Sequence, residues 1–414
     1  MKNKVKTVLK KAVLGAYALG TKLLPVDDRI VIFESSLGRN STGSPRAVCD
    51  YMVKKGLDKH YKLYYILDDK KNVNNGIRNL PKSVKRVRNS RILYYYLFAR
   101  AGFIVSDTRF QNYMIKRKNC TYVQTWHGTP LKKLALDMTS VNMSVSKDIE
   151  EYKREFVENS ATWDYLVSQN SFSSKVLPGA FGYKGELLEI GYPRNDVLNK
   201  YAKNELTERG REKNRILKFK IREKLGLPLD KKVMLYAPTW RDNAFVDAEN
   251  YKFITQMDMD KMKAAFGSDA IMALKYHYLV SDKAASNLEA MHKGFIYTFN
   301  GNVDISYLYI AADILITDYS SVMFDYSLLK RPMFFYDFDL DSYRDEMRGF
   351  YFDFLKEAPG PVVKETGELI EEIKKGDNLY FEKYGKKYDA FCKKYHEYEN
   401  GRASEKIVEI ICGK

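Results

Sequence analysis

A repeated unit constrains this chain most: a short apolar run ending in polar residues, then a stretch with helical periodicity. Arg29–Ser35, Lys62–Leu67, Ser83–Val87, Phe103–Ser106, Tyr122–Thr125 and Tyr165–Ser168 are such runs, with helices expected over Arg46–Lys55, Arg91–Arg100 and Asp148–Glu158. After a charged stretch, Asn199–Leu225, the unit restarts. Strands are then expected at Val233–Tyr236, Ala270–Leu274, Phe295–Tyr297, Ile314–Thr317 and Met333–Tyr336, and helices at Asp258–Phe266, Ile305–Ala312 and Val322–Leu329. Strand–helix alternation of this kind builds doubly wound parallel sheets, and 414 residues are enough for two full cores.

The division that follows is residues 1–25 as an amphipathic helix and 26–200 as a first Rossmann-like domain. Residues 201–228 form a helical connection, 229–385 a second Rossmann-like domain, and 386–414 helices that pack back across both. Two such domains facing a cleft form the glycosyltransferase-B-like arrangement, an α/β fold. In residues 2–24, Val5, Val8, Leu9, Ala12, Val13, Ala16, Leu19 and Leu23 fall on one helical arc, while Lys4, Lys6, Lys10, Lys11 and Lys22 fall off it. That pattern suits a helix lying in an anionic membrane interface, and removing it should release the protein while sparing turnover. No run approaches the roughly 18–20 apolar residues of a membrane span, and no signal peptide is expected.

The 69 basic and 53 acidic residues leave a formal charge of +16, which favours an anionic partner. The basic residues are spread along the chain and form no nucleic-acid motif. Cys49, Cys120, Cys392 and Cys412 have no metal spacing and fit reduced thiols.

The chemistry is expected where strands end. His127, in Thr125-Trp126-His127-Gly128-Thr129-Pro130, could take a proton from an attacking hydroxyl. His277, ending Leu274-Lys275-Tyr276-His277, could bind a phosphate oxygen and offset leaving-group charge. Thr317-Asp318-Tyr319-Ser320-Ser321 opens a helix, so Thr317, Ser320 and Ser321 could hold a donor phosphate, with Asp318 orienting or capping. Arg241 could form a bidentate pair with phosphate, and Arg194, with Gly128 and Thr129, could contact acceptor or donor. Asp337, Asp339 and Asp341 read as a capped, solvated loop, and no metal site is expected. Together these residues suggest phosphoryl transfer from a nucleotide-linked donor.

The segments TWHGTPLKKL (125–134), GYPRND (191–196), YAPTWRD (236–242), LKYH (274–277) and ITDYSSVMFDYSLLKRP (316–332) resemble, in this order, the CDP-glycerol glycerophosphotransferase family of teichoic acid synthesis. The resemblance covers roughly residues 28–390. It implies transfer of glycerol phosphate or ribitol phosphate from a CDP-activated donor to a hydroxyl of a lipid-linked acceptor, releasing CMP. It also implies His127 as base, His277 on the donor pyrophosphate, no required metal or cofactor, and an undecaprenyl-linked saccharide or polymer as acceptor. A peripheral protein on the cytoplasmic face of the plasma membrane, binding an anionic membrane surface and no nucleic acid, is the expected setting. Tyr278 stands where the family motif often continues with proline. The alternative on the same scaffold is a nucleotide-sugar glycosyltransferase acting on a cell-surface polymer. Chain length leans toward priming or short extension.

Overall fold

In the computed structural model, residues 2–88, 92–139, 148–239, 256–276, 282–339 and 349–413 are described. The chain opens with helix α1 (Lys2–Leu23) and strand β1 (Asp27–Glu34). Helix α2 (Gly43–Lys54), β2 (Lys62–Ile66), β3 (Lys85–Val87), α3 (Ile92–Arg100), β4 (Ala101–Ser106) and β5 (Thr121–Gln124) follow. Then come α4 (Ile149–Ser160), β6 (Tyr165–Ser168), α5 (Ser171–Phe181) and β7 (Glu186–Glu189). These seven strands form one parallel sheet of order β3-β2-β1-β4-β5-β6-β7.

Helices α6 (Asp196–Asn204) and α7 (Glu208–Lys224) lead to β8 (Lys232–Ala237), α8 (Met259–Phe266), β9 (Ala270–Lys275), α9 (Asp282–Met291) and β10 (Ile296–Phe299). Helix α10 (Ile305–Ala311), β11 (Ile314–Thr317), α11 (Val322–Tyr326), β12 (Met333–Tyr336) and β13 (Val362–Val363) complete a second parallel sheet of order β10-β9-β8-β11-β12-β13. Both sheets are doubly wound. The strand order reverses between β1 and β4 in the first and between β8 and β11 in the second, and ligands bind at such reversals, beyond the carboxyl ends of the strands.

The apolar runs became strands because both of their faces are covered. Val31, Ile32, Phe33, Ile271 and Ile316 are fully buried. Strand β7 (ELLE) was not expected: it is an edge strand whose outer glutamates reach solvent, so no apolar run marks it. The charged stretch 199–225 is built into the second domain. Ile221 joins its core, and Arg222 donates from Nε and Nη2 to the Ala311 carbonyl at 2.9 and 2.7 Å.

The C-terminal helices divide between the domains. Tyr380, Tyr388, Phe391 and Tyr395 of helix Gly376–Tyr395 pack into the second core, whereas Ile407, Val408 and Ile411 of helix Ala403–Cys412 pack into the first.

Helix α1 differs from its expected orientation. Its last turns dock on α3, burying Tyr17, whose hydroxyl donates to the Ile115 carbonyl at 3.1 Å. Val13, Leu14 and Leu24 pack against the same core, while Leu19 and Leu23 stay exposed. Truncation through residue 24 would therefore uncover Tyr94, Tyr95 and Phe98 and cannot be expected to spare the enzyme.

Candidate active site

Beyond β5 the chain turns sharply. Trp126 adopts a left-handed φ of 52°, an uncommon conformation for a large side chain, held by a hydrogen bond from its N–H to Gln124 Oε1 at 2.9 Å. The His127 ring stacks on the Trp126 indole, with centroids 4.2 Å apart. Its Nδ1 lies 2.9 Å from the carbonyl of Asp107, the first residue beyond β4 and so at the first switch point. A carbonyl only accepts, so Nδ1 carries the proton and Nε2 keeps its lone pair. The residue is exposed to water, with the indole covering one face of the ring. Desolvation lowers its pKa below the ordinary histidine value; the hydrogen bond to the Asp107 carbonyl opposes this, and Arg194 adds to it. The contact to the Asp107 carbonyl thus sets, in the neutral ring, the tautomer a base needs.

The second switch point carries residues 317–321. Thr317 Oγ1 donates to the Ala237 carbonyl at 2.7 Å and is fully buried, so its hydroxyl ties β11 to β8 and is not available to a phosphate. Asp318 accepts from the backbone N–H and the hydroxyl of Thr239 at 2.9 and 2.6 Å, an orienting contact between β11 and the segment after β8. Ser320 and Ser321 remain partly accessible, and the Ser321 side chain makes no capping bond to α11.

Gly128 brings the two domains together. A Cβ there would stand 2.9 Å from Ser321 Oγ and 3.2 Å from Ser321 Cβ, so only glycine permits this approach. The histidine loop and the serine pair therefore face each other across the cleft.

The Thr129 hydroxyl and the Arg194 guanidinium are engaged by the protein itself. Thr129 is 1% exposed; its hydroxyl donates to Gln169 Oε1 at 2.6 Å and accepts from Asn170 Nδ2 at 2.9 Å. Arg194 donates from Nη1 to the His127 carbonyl at 2.8 Å and from Nη2 to Asp325 on α11. Burial works against the Arg194 charge, and Asp325 together with Tyr309 and Tyr192 outweighs it, so the guanidinium stays protonated. Around this pair, Gln169 and Asn195 each bridge Asp325 and Glu399, with Asn195 Nδ2 at 2.8 Å from both. Desolvation raises the Glu399 carboxyl to about 7. Asp107, Gln169 and Glu399 carried no sequence signal, and Asp325 was not singled out within the 316–332 segment. They lie on separate segments that meet only in the tertiary structure.

His277 and Arg241 lie outside the described residues; β9 ends at Lys275, two positions before the histidine. Lys275 is pushed down to about 8 by burial, which Asp304 opposes, and its Nζ donates to the Val303 carbonyl at 2.7 Å. It holds the loop before α10, which touches the first domain through Asp304 Oδ2 and the Gly43 N–H at 2.8 Å. Of the aspartate triplet, Asp337 is fully buried, contrary to the solvated loop expected, Asp339 accepts from the Tyr319 hydroxyl at 2.8 Å, and Asp341 is outside the described residues.

The sequence model of one family, described as CDP-glycerol:poly(glycerophosphate) glycerophosphotransferase, matches residues 17–413. The chain is 40% identical over 418 residues to a teichoic acid poly(glycerol phosphate) polymerase of Bacillus spizizenii, covering 100% of both proteins. It is 35% identical over 415 residues to a teichoic acid glycerol-phosphate transferase of Staphylococcus aureus, covering 99% of each. Against the Bacillus subtilis poly(glycerol phosphate) polymerase it is 38% identical but spans 52% of that protein. Among solved structures, the wall teichoic acid polymerase TagF, in a histidine variant soaked with CDPG, superposes with a TM-score of 0.87 at 35% identity, covering 99% of this chain and 95% of that one. With a family match across nearly its whole length and the doubly wound pair of domains to go with it, the chain belongs to the CDP-glycerol:poly(glycerophosphate) glycerophosphotransferase family.

Proposed function

We propose that the protein extends a poly(glycerol phosphate) chain, moving glycerol phosphate from CDP-glycerol to a terminal hydroxyl of a teichoic-acid-type acceptor and releasing CMP. The observation that carries this reading is the contact of the Gly128 loop with Ser321, which sets the His127 loop opposite an accessible serine pair. In this reading the acceptor hydroxyl attacks the glycerol-bearing phosphorus. The new P–O bond forms as the P–O bond to CMP breaks, and His127 Nε2 takes the hydroxyl proton. Ser320 and Ser321 hold the donor phosphates, and His277, following β9, meets the charge that develops on CMP. Catalysis is then positioning plus charge stabilisation.

Glycerol is favoured over ribitol by the relatives: 40% identity to a poly(glycerol phosphate) polymerase against 28% to a poly(ribitol-phosphate) polymerase. Extension is favoured over priming in the same way, since a glycerol-phosphate primase is 28% identical. Chain length does not argue for priming, because the polymerase from Bacillus spizizenii aligns along its entire length.

The same reading sets the enzyme on the cytoplasmic face of the membrane, where an undecaprenyl-linked acceptor would lie. Among the described residues no helix is long and apolar enough to cross a membrane. Support for a peripheral site comes from Leu19 and Leu23 of α1 and Ile92 and Leu93 of α3, exposed on two helices that pack together. Leu23→Glu with Ile92→Glu should abolish sedimentation with anionic vesicles and leave turnover of a soluble acceptor intact.

The deciding experiment is product analysis with CDP-glycerol and CDP-ribitol on a primed acceptor, in buffer with and without EDTA. CMP release from CDP-glycerol with chain growth, unaffected by EDTA, is expected. Release of UDP from a nucleotide-sugar, with neither CDP donor consumed, would replace this reading by sugar transfer.

A further inference from the structure

A large cavity, of about 860 Å³, opens along the same interdomain seam. Helix α2 and the segment 75–78 wall it on one side. The start of α10, helices α6 and α7, and residues 400–404 complete it. Neither His127, Gly128, Ser320 nor Ser321 lines it, and Arg194 is shared between its wall and the cleft. Its volume lies in the range of ligand sites and well above that of a packing void.

Its charge is one-sided. Seven lysines and arginines line it against three aspartates. Each aspartate is already engaged by donors of the protein itself. Asp50 accepts from Arg46 Nε at 3.0 Å, Asp196 from the N–H groups of Ala403 and Ser404 at 3.0 and 2.9 Å, and Asp304 from those of Gly43 and Ser306 at 2.8 and 3.0 Å. Lys54 and Lys200 also line the cavity, are exposed, and make no hydrogen bond or ion pair to any described residue. Between the charges stand Tyr51, Tyr201 and Tyr307, aromatic walls that suit the carbon backbone of a polyol.

We infer that this cavity is a second binding site that holds a segment of a phosphodiester-linked polyol chain, with Lys54 and Lys200 on its phosphates. The inference rests on the proposed function, which supplies the polyanion as product. The cavity would then retain the growing chain between additions, a role distinct from the chemistry in the cleft. A site that held the chain there would let successive transfers occur without full release, because a tethered end has a high effective concentration.

The test uses the full-length protein and a defined glycerol phosphate oligomer as probe, followed by fluorescence anisotropy, with CMP as competitor. Lys54→Glu/Lys200→Glu should weaken oligomer binding about tenfold or more and flatten its salt dependence. The product should shorten, and CDP-glycerol affinity and a single addition should stay unchanged. The milder Lys54→Ala/Lys200→Ala pair, checked for an unaltered melting temperature, should weaken binding in the same direction if the charge-reversed variant fails to fold. Oligomer binding that is unchanged in the folded variants, or that CMP displaces competitively, would overturn the site. Oligomer binding that depends on both lysines in a protein that does not consume CDP-glycerol would sink the proposed reaction and leave the cavity assignment standing.

Discussion

Arg194 holds the carbonyl of His127 with one arm and the carboxylate of Asp325 with the other, so the histidine loop of the first domain and the helix after Ser321 are set by one side chain. The pair is almost wholly buried, with 11% and 2% of the two side chains exposed. Its role is geometric: it fixes the His127 loop against helix α11.

Breaking this pair should damage stability and turnover in separable ways. Arg194→Ala leaves Asp325 buried and uncompensated, and should lower the unfolding free energy by about 3–5 kcal/mol. Adding Asp325→Asn should recover part of that stability, read by chemical denaturation, and none of the turnover. Arg194→Lys keeps the charge but loses the fork, so it should stay folded and turn over about tenfold or more slowly. Full turnover by a folded Arg194→Ala enzyme would mean that the loop is positioned by other contacts.

His127→Ala should reduce turnover by about 10²–10⁴ and leave CDP-glycerol affinity nearly unchanged. His127→Gln keeps a hydrogen bond to Asp107 and supplies no proton acceptor, so it should rescue little. Near-normal turnover by either variant, with the melting temperature preserved, would remove His127 from the chemistry.

The pH profile follows from the same residue. Desolvation lowers the His127 pKa, so the base form persists below the ordinary histidine range. The acid limb of kcat/KM should therefore fall below pH 6.5, about the unperturbed value. A limb above that value would show that a different group is being titrated.

Gly128→Ala should act on the cleft more than on the fold. The added methyl meets Ser321 Oγ at 2.9 Å and Cβ at 3.2 Å, so Ser321 or the His127 loop has to shift to accept it. Turnover should drop at least about tenfold with the melting temperature within a few degrees of wild type. Unchanged kinetics would show that Ser321 can move aside without cost to the reaction.

Glu34 offers a stability test away from the chemistry. Its carboxyl ends β1, is 2% exposed, and has Oε2 without a partner. Desolvation, helped by Asp107 and Asp68, pushes it up to about 8. A folded-state value raised this far means that the unfolded chain releases its proton first. The contribution is then fully present below about pH 4.5 and is lost as pH rises toward 8. Glu34→Gln should raise the melting temperature at pH 8 and change it little at pH 5. Equal effects at both values would show that Glu34 is ionised in the folded protein.

Much of the architecture was readable because burial on both faces writes itself into composition. Runs such as Arg29–Ser35 and Ile314–Thr317 have no use except as covered parallel strands, and the residues after them mark the carboxyl edge where ligands bind. His127, Gly128, Ser320 and Ser321 were singled out in this way, and the structure brings the Gly128 loop and Ser321 together. What the sequence could not carry was direction and partnership. Thr129 and Thr317 sit in the right motifs, yet their hydroxyls are spent on Gln169 and Ala237, because a strand end offers one side to the cleft and the other to the core. Strand β7 and the buried face of α1 were misjudged or missed for a related reason, since an edge strand and a helix with two apolar sides leave ambiguous patterns. Asp107, Asp325 and Glu399 became a site only through tertiary structure. They are remote in the chain, and the reversal of strand order, the return of the last helix to the first domain and the fork of Arg194 bring them together.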